Sequence, residues 1–368
     1  MSEFYIGVMS GTSLDGIDLA LCEIEDDAFE LLLCASYPFD AELKSDILNA
    51  INAQTTLKNI GEIDIRLGKM YADALEKFIE ENSLKRVKIR AIGLHGQTLW
   101  HEPESQNPFS MQLGNANILT ARLGICVVSD FRQKDIALGG QGAPFTPAFH
   151  EFLFSKLSGN VAVLNIGGMA NITLLREMLS GYDTGCGNVL MDYWISKYNG
   201  SPYDKDGEWA KSGTPNRELL REFLKEPYFL KSPPKSTGRE LFGEKWLKKQ
   251  LSEFAKKNQN CSYLKARDIQ ATLLELSVQS IANEIKKSDT TLLIVCGGGI
   301  NNRYLMERLQ EELGDIKIAS SDEYGVSSEF MEAMAFAWLA HERIHKKCVK
   351  ISSVSGALRD SILGAIYE

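Results

Sequence analysis

Apolar side chains recur along residues 4–9, 17–25 and 29–37 in short runs, and predict three consecutive strands separated by SGTSLDG and DDA. A helix follows, because Ile60, Ile63, Leu67, Met70, Tyr71, Leu75, Phe78 and Ile79 recur at helical spacing. VKIRAIGLHGQT predicts a strand running into a polar loop, and GICVVSDF another short strand. That alternation is the α/β pattern. Around residue 160 the pattern restarts: NVAVLNIGGMANITLL is again strand, glycine-containing polar turn, strand. Helices at about 187–198 and 268–287 come next. The strand TLLIVCGGG, a helix at about 302–313, the strand IKIAS and a helix at about 328–346 complete the chain. The stripe FMEAMAFAWLA reads as core packing. Two α/β lobes that each begin with a hairpin and a polar glycine turn suggest a duplicated architecture, with no shorter repeat.

A chain of 368 residues is long enough for two lobes or domains. A net charge of −9 without a basic cluster argues against a nucleic-acid surface, so any bound anion needs local donors. The seven cysteines are scattered without a CxxC pair, which fits a reducing compartment. The start MSEFYIGVMSG lacks a basic, apolar leader, and no run of about 18 apolar residues occurs, so the expectation is a cytoplasmic protein without a membrane span.

Three turns carry candidate chemistry. In VMSGTSLDGIDLAL the loop between two strands holds Gly11, Thr12, Ser13, Leu14, Asp15 and Gly16, followed by Ile17 and Asp18. Glycine turns with converging N–H groups bind anions. The Walker pattern is absent, so phosphate would sit on a hairpin tip, with Asp15 or Asp18 holding Mg²⁺ directly or through water. An ordinary hairpin loop is the plainer alternative. In GYDTGCGNVLMDYWI, Asp183, Thr184, Gly185, Gly187 and Asn188 precede a helix, where Asn188 or Asp183 would cap and the dipole favours an anion. In LLIVCGGGINN a buried strand runs into Gly297, Gly298 and Gly299, which would allow close contact with a nucleotide.

Together with GLHGQTLWHEP, VVSDFRQKDIALGGQGAPFTPAFH, LNIGGMANIT, SPPKSTGRELF and EAMAFAWLA, these stretches resemble the anhydro-N-acetylmuramic acid kinases, of the sugar kinase, heat-shock chaperone and actin superfamily. The resemblance spans nearly the whole chain. One departure is Cys186, where the family usually has proline. The resemblance implies a two-lobed, duplicated ribonuclease-H-like (actin-like ATPase) α/β fold with an interlobe cleft. It also implies an activity that uses ATP and water to open 1,6-anhydro-N-acetylmuramic acid, giving N-acetylmuramic acid 6-phosphate in murein recycling and amino-sugar catabolism. Asp183 would be the base, and Gly11 to Asp18 would bind the ATP phosphates. Gly185, Gly187, Asn188 and Gly297 to Gly299 would hold the nucleotide from the second lobe. Lys and Arg are missing from the first loop, so Mg²⁺ is the implied cofactor, at Asp15 and Asp18. Candidates for the sugar are His95, Gln97, Asp130, Arg132 and Glu332, with Arg132 the natural fork for the lactyl carboxylate. A plainer reading makes His95 a loop histidine and Glu332 an acid suiting a helix start. SPPKSTGRE, residues 232–240, reads equally as a lid or an interlobe contact.

The expected division is lobe one at 1–128, completed by 349–368, and lobe two at 129–348; a homodimer is implied. HERIH, residues 341–345, formally matches HExxH, but the third ligand in sequence would be Glu368, so it reads as the polar end of a helix. A single DTG does not make an aspartic-protease pair. The rivals are a levoglucosan-type kinase, and an actin- or chaperone-like ATPase that grips a protein, which the compact length disfavours.

Overall fold

A computed structural model of the chain describes residues 2–11, 14, 16–25, 28–257 and 264–368. In chain order the first stretch forms β1 (Glu3–Met9), β2 (Gly16–Glu25), β3 (Ala28–Pro38), α1 (Ala41–Ile51), α2 (Leu57–Glu81) and β4 (Ile89–Leu94). Then come β5 (Gln97–Glu102), β6 (Phe109–Leu113), α3 (Ala116–Leu123), β7 (Val127–Ser129), α4 (Gln133–Ala137) and α5 (Thr146–Phe154). The middle holds β8 (Val161–Ile166), β9 (Met169–Leu174), β10 (Ser180–Cys186), α6 (Val189–Asn199), α7 (Glu208–Lys211), α8 (Arg217–Phe223), α9 (Glu244–Lys257) and α10 (Ala266–Lys286). It continues through β11 (Leu292–Cys296), α11 (Arg303–Leu313) and β12 (Lys317–Ser320); α12 (Met331–Ile344), α13 (Ser352–Ser355) and β13 (Ala365–Tyr367) end the chain.

Two compact units result, Met1–Leu153 with Phe330–Glu368, and Phe154–Glu329. In the first, the sheet order is β13-β7-β4-β1-β2-β3; β1, β2 and β3 are antiparallel neighbours, while β1, β4 and β7 run parallel. In the second it is β10-β9-β8-β11-β12, with β8, β9 and β10 antiparallel and β8, β11 and β12 parallel. Five strands therefore repeat the same order and sense in each unit, which is the duplicated ribonuclease-H-like α/β topology.

The units divide at 153/154 and 329/330, not at 128/129 and 348/349. The cause lies in α12. Its backbone seats directly on the first sheet at Gly7 and Gly93, paired neighbours on β1 and β4. A Cβ on Gly7 would stand 1.7 Å from the Ala333 carbonyl oxygen, and one on Gly93 1.9 Å from that of Phe336. The alanine-rich helix is thus the inner layer of unit one. The C-terminal residues belong there too, since β13 pairs antiparallel with β7.

On the opposite face α2 buries Ile63, Leu67, Tyr71, Leu75 and Phe78, with Thr56 Oγ1 accepting from the Asn59 N–H at 3.2 Å to cap it. In unit two α10 is the central helix, buried from Ile269 to Ile285 on most of its circumference. Such a helix has no polar face to give away its depth. Among the described residues, no helix is long and apolar enough to cross a membrane.

Candidate active site

The hairpin tip between β1 and β2 is held from below. Ser10 Oγ and Tyr71 OH hydrogen-bond at 2.6 Å, and the Leu14 N–H reaches the Gly11 carbonyl at 3.2 Å. Leu14 and Ile17 are each 1 % exposed and sit in the unit-one core, so any contact of theirs with a nucleotide is through the backbone. Thr12, Ser13 and Asp15 lie outside the described residues. Asp18 stands half-buried on β2, opposite Met9.

Near Asp18, unit one brings together three of the expected sugar residues. His95 ends the β4 turn, its N–H bonded to the Val8 carbonyl at 3.1 Å and its ring against Phe336 of α12 at 4.7 Å. Arg132 donates to His95 Nε2 from Nε at 3.2 Å and from a terminal nitrogen at 2.8 Å, and to the Gly142 carbonyl at 2.7 Å. Burial, the Arg132 charge after it, holds His95 well below the usual histidine range, so it is a neutral acceptor. Burial also brings Arg132 down to about 10, with Glu332 acting against that shift. Of the five guanidinium N–H groups, one on each terminal nitrogen remains for a ligand. Glu332 is accessible to solvent but hemmed in by protein; that desolvation raises its carboxyl, Arg132 opposes it and Asp18 adds to it. Gln97 opens β5 buried, and its Oε1 has no partner. Asp130 turns elsewhere: it lines a separate cavity of about 360 Å³ with Asp64, Gln133 and Tyr367.

In unit two Asp183 is not in a turn before a helix, nor does it cap one. It lies on β10, opposite Asn171 of β9, with a bulge between Asp183 and Gly185. A bulge re-aims the side chain beside it. Gly185 has φ +149°, and a Cβ there would meet Phe229 at 2.8 Å. The 232–240 segment clamps the aspartate: its N–H donates to the Lys235 carbonyl at 3.1 Å, and its Oδ2 accepts from the Thr237 N–H at 2.8 Å. Lys235 is itself anchored by a buried ion pair with Glu284 at 2.9 Å. Burial raises the Asp183 carboxyl from 3.8 to about 6; the Thr237 N–H opposes the rise and Glu240 adds to it. A half-buried, singly hydrogen-bonded carboxylate of that strength is a competent base near neutral pH.

The helix-terminus anion site expected at 187–188 is occupied by the protein itself. The N–H groups of Gly187, Asn188 and Val189 all bond to the carbonyls of Gly167 and Gly168, at 2.9, 2.9 and 3.1 Å. Asn188 takes the N-cap position of α6 without a side-chain cap bond. Gly167 and Gly168 form the β8–β9 turn, topologically equivalent to the β1–β2 tip, an equivalence that the duplicated strand–glycine turn–strand pattern of the sequence carries. Cys186 is fully buried, 3.9 Å from Ser277 Oγ, and burial raises its thiol to about 12, so it is an unreactive core residue.

The three consecutive glycines divide their work. A Cβ on Gly297 would meet Asn165 Oδ1 at 2.2 Å, and one on Gly299 Ile166 Cγ2 at 2.3 Å, whereas Gly298 faces open space. Gly298 lines a cavity of about 520 Å³ with Asn188, Asp192, Asp204, Asn301 and Asn302. Two of the glycines let backbone pack on β8; the middle one leaves a flat wall for a ligand.

The chain is similar to known proteins along nearly its whole length. The family description "Anhydro-N-acetylmuramic acid kinase" matches residues 3–368. The chain is 50 % identical over 365 residues to the protein of that name from Sulfurovum sp., covering 99 % of both. It is 46 % identical to the one from Pasteurella multocida, over 99 % of this chain and 96 % of the relative, and 47 % identical to that from Vibrio cholerae, over 99 % and 98 %.

Proposed function

Because the chain belongs to the anhydro-N-acetylmuramic acid kinase family, we propose that Asp183 is the base that activates water during its reaction. The protein is a kinase of 1,6-anhydro-N-acetylmuramic acid. The Asp183 carboxylate takes a proton from water, whose oxygen bonds to C1 of the sugar. The C1–O6 bond breaks, and O6 receives the γ-phosphoryl group of ATP, leaving ADP and the 6-phosphate. The observation that carries this reading is the clamped Asp183 on its bulge, with a carboxyl raised to about 6.

Arg132 is assigned to the lactyl carboxylate through its two remaining N–H groups, a geometry that suits a carboxylate fork. The partnerless Gln97 Oε1 suits the acetamido N–H, since a buried acceptor gains most from a new donor. Glu332 and neutral His95 face the hydroxyls in this reading. Asp130, which lines the separate cavity, is the weakest member of the sugar set in this reading. The β1–β2 tip and Gly298 are assigned to ATP. Asp18 and Glu332 repel each other, and the loop 10–18 has no basic residue, so the donor set fits a divalent cation, with Asp18 and Asp15 holding it. When bound, Mg²⁺ offsets phosphate charge. The same reading makes the protein a cytoplasmic homodimer.

The test is incubation with ATP, Mg²⁺ and 1,6-anhydro-N-acetylmuramic acid, with mass detection of the 6-phosphate. Comparable kcat/KM on levoglucosan, which lacks the lactyl and acetamido groups, would instead make this a simple anhydro-sugar kinase. Turnover of ATP independent of any sugar would support a protein-gripping ATPase.

A pH profile follows from the raised carboxyl. The base must be ionised, so log kcat/KM is expected to fall with unit slope as pH drops through about 6. A rate that stays level down to pH 4 would remove Asp183 from the role.

A further inference from the structure

We infer that Glu3, His341 and His345 form a transition-metal site that staples the start of β1 to the end of α12. In sequence the third ligand to HERIH would be Glu368; the fold brings Glu3 there instead, beside the helix end, by the seating of α12 on the first sheet. One ligand atom from each of the three residues lies within 4.8 Å of the other two. The Glu3 carboxylate and His345 Nε2 already touch at 2.7 Å. The two imidazoles, one helical turn apart, have ring centroids 4.5 Å apart.

The surroundings suit a metal. His341 Nδ1 is 3.0 Å from the Glu342 carboxylate, which sets the tautomer and leaves Nε2 with its lone pair, the carboxylate–histidine–metal arrangement. Tyr5 OH donates to Glu3, fixing that carboxylate further. Arg90 stands 3.6 Å from the other oxygen of Glu3; it competes for the carboxylate but is half-exposed. Two imidazoles and one carboxylate leave a fourth position for water and favour Zn²⁺ among abundant divalent ions. His345 lies at the exposed end of α12 and has room to adjust by the ångström that tetrahedral coordination asks.

This is not a peptidase site, because the glutamate that would activate water in HExxH is engaged on His341. Nor does it bear on phosphoryl transfer. β1 and α12 both run from this cluster to the proposed site residues at their other ends, about 20 Å away at strand and helix rise.

The full-length chain, stripped with EDTA, is titrated with ZnCl₂ by calorimetry, and with Co²⁺ followed by visible ligand-field absorption. We expect one Zn²⁺ per chain at micromolar affinity, a tetrahedral Co²⁺ spectrum and a rise in Tm. His345→Ala and Glu3→Gln should each weaken binding at least about tenfold and remove the Tm rise, with sugar phosphorylation unchanged. Failure to bind Zn²⁺, or equal affinity in both variants through exposed thiols such as Cys34 and Cys348, overturns the inference. Either result leaves the kinase reading untouched.

Discussion

Asp183→Asn is expected to abolish most turnover while making the folded protein more stable. Loss of a general base lowers kcat by about 10²–10⁴-fold. The amide keeps the hydrogen bond from the Thr237 N–H, since its oxygen can replace Oδ2. Stability moves the other way, because burial raises the carboxyl from 3.8 to about 6. A carboxyl raised in the folded state contributes its full stability below the unfolded value and loses it as pH rises through the folded value. At pH 7 the ionised Asp183 therefore destabilises the fold by on the order of 2–3 kcal/mol, which the neutral amide avoids. Above about pH 6 the variant should melt higher than the parent, and near pH 3.5 the difference should vanish. ATP binding is retained. Loss of turnover accompanied by a lower Tm at pH 7 would mean that Asp183 serves the fold and not the reaction.

Replacing Gly93 by alanine should be among the most damaging single changes in unit one. The added Cβ meets a helix carbonyl at 1.9 Å. Backbone cannot rotate away as a side chain can, so α12 must lift from β1 and β4 along the row of Ala333, Phe336, Ala337 and Ala340. Overpacking of that kind costs about 3 kcal/mol or more, a fall of roughly 10 °C in Tm. It also displaces Glu332, which begins the same helix, so KM for the sugar should rise in whatever fraction remains folded. Gly61 is the control. It lies inside α2 with no atom within 4 Å of its would-be Cβ, and Gly61→Ala should stabilise by about 0.5–1 kcal/mol. Thermal melts of the two variants side by side check the pair; a Gly93→Ala protein as stable as the parent would show that α12 is not pinned there.

Much of the fold was legible because strands and amphipathic helices write their burial into the spacing of apolar residues. The strands now seen at β1, β2, β3, β8, β9 and β11, and the helices α2, α6, α10, α11 and α12, fall where that spacing predicts. β10 was not legible. YDTGC carries polar and glycine residues and no apolar alternation, so it imitates a turn while pairing with β9 around a bulge. The β5–β6 ribbon and the short helices α7 and α8 escaped for a related reason: segments so brief contain too few periods to register.

The site divides along the same line. Residue chemistry marks the glycine turns, the lone acid and the arginine as candidates, because phosphate binding, water activation and carboxylate binding would each demand particular side chains. Sequence alone also determined the family, through motifs spread along the chain. Which donors are free is a different matter, since it depends on partners remote in sequence. The amides at 187–189 are taken by the Gly167–Gly168 turn. Asp183 gains its raised carboxyl and its clamp from a loop some fifty residues on, and His341 and His345 meet Glu3 from the opposite end of the chain. Side-chain type is local information, whereas burial and hydrogen-bond pairing are properties of neighbours, and only the folded chain assigns neighbours.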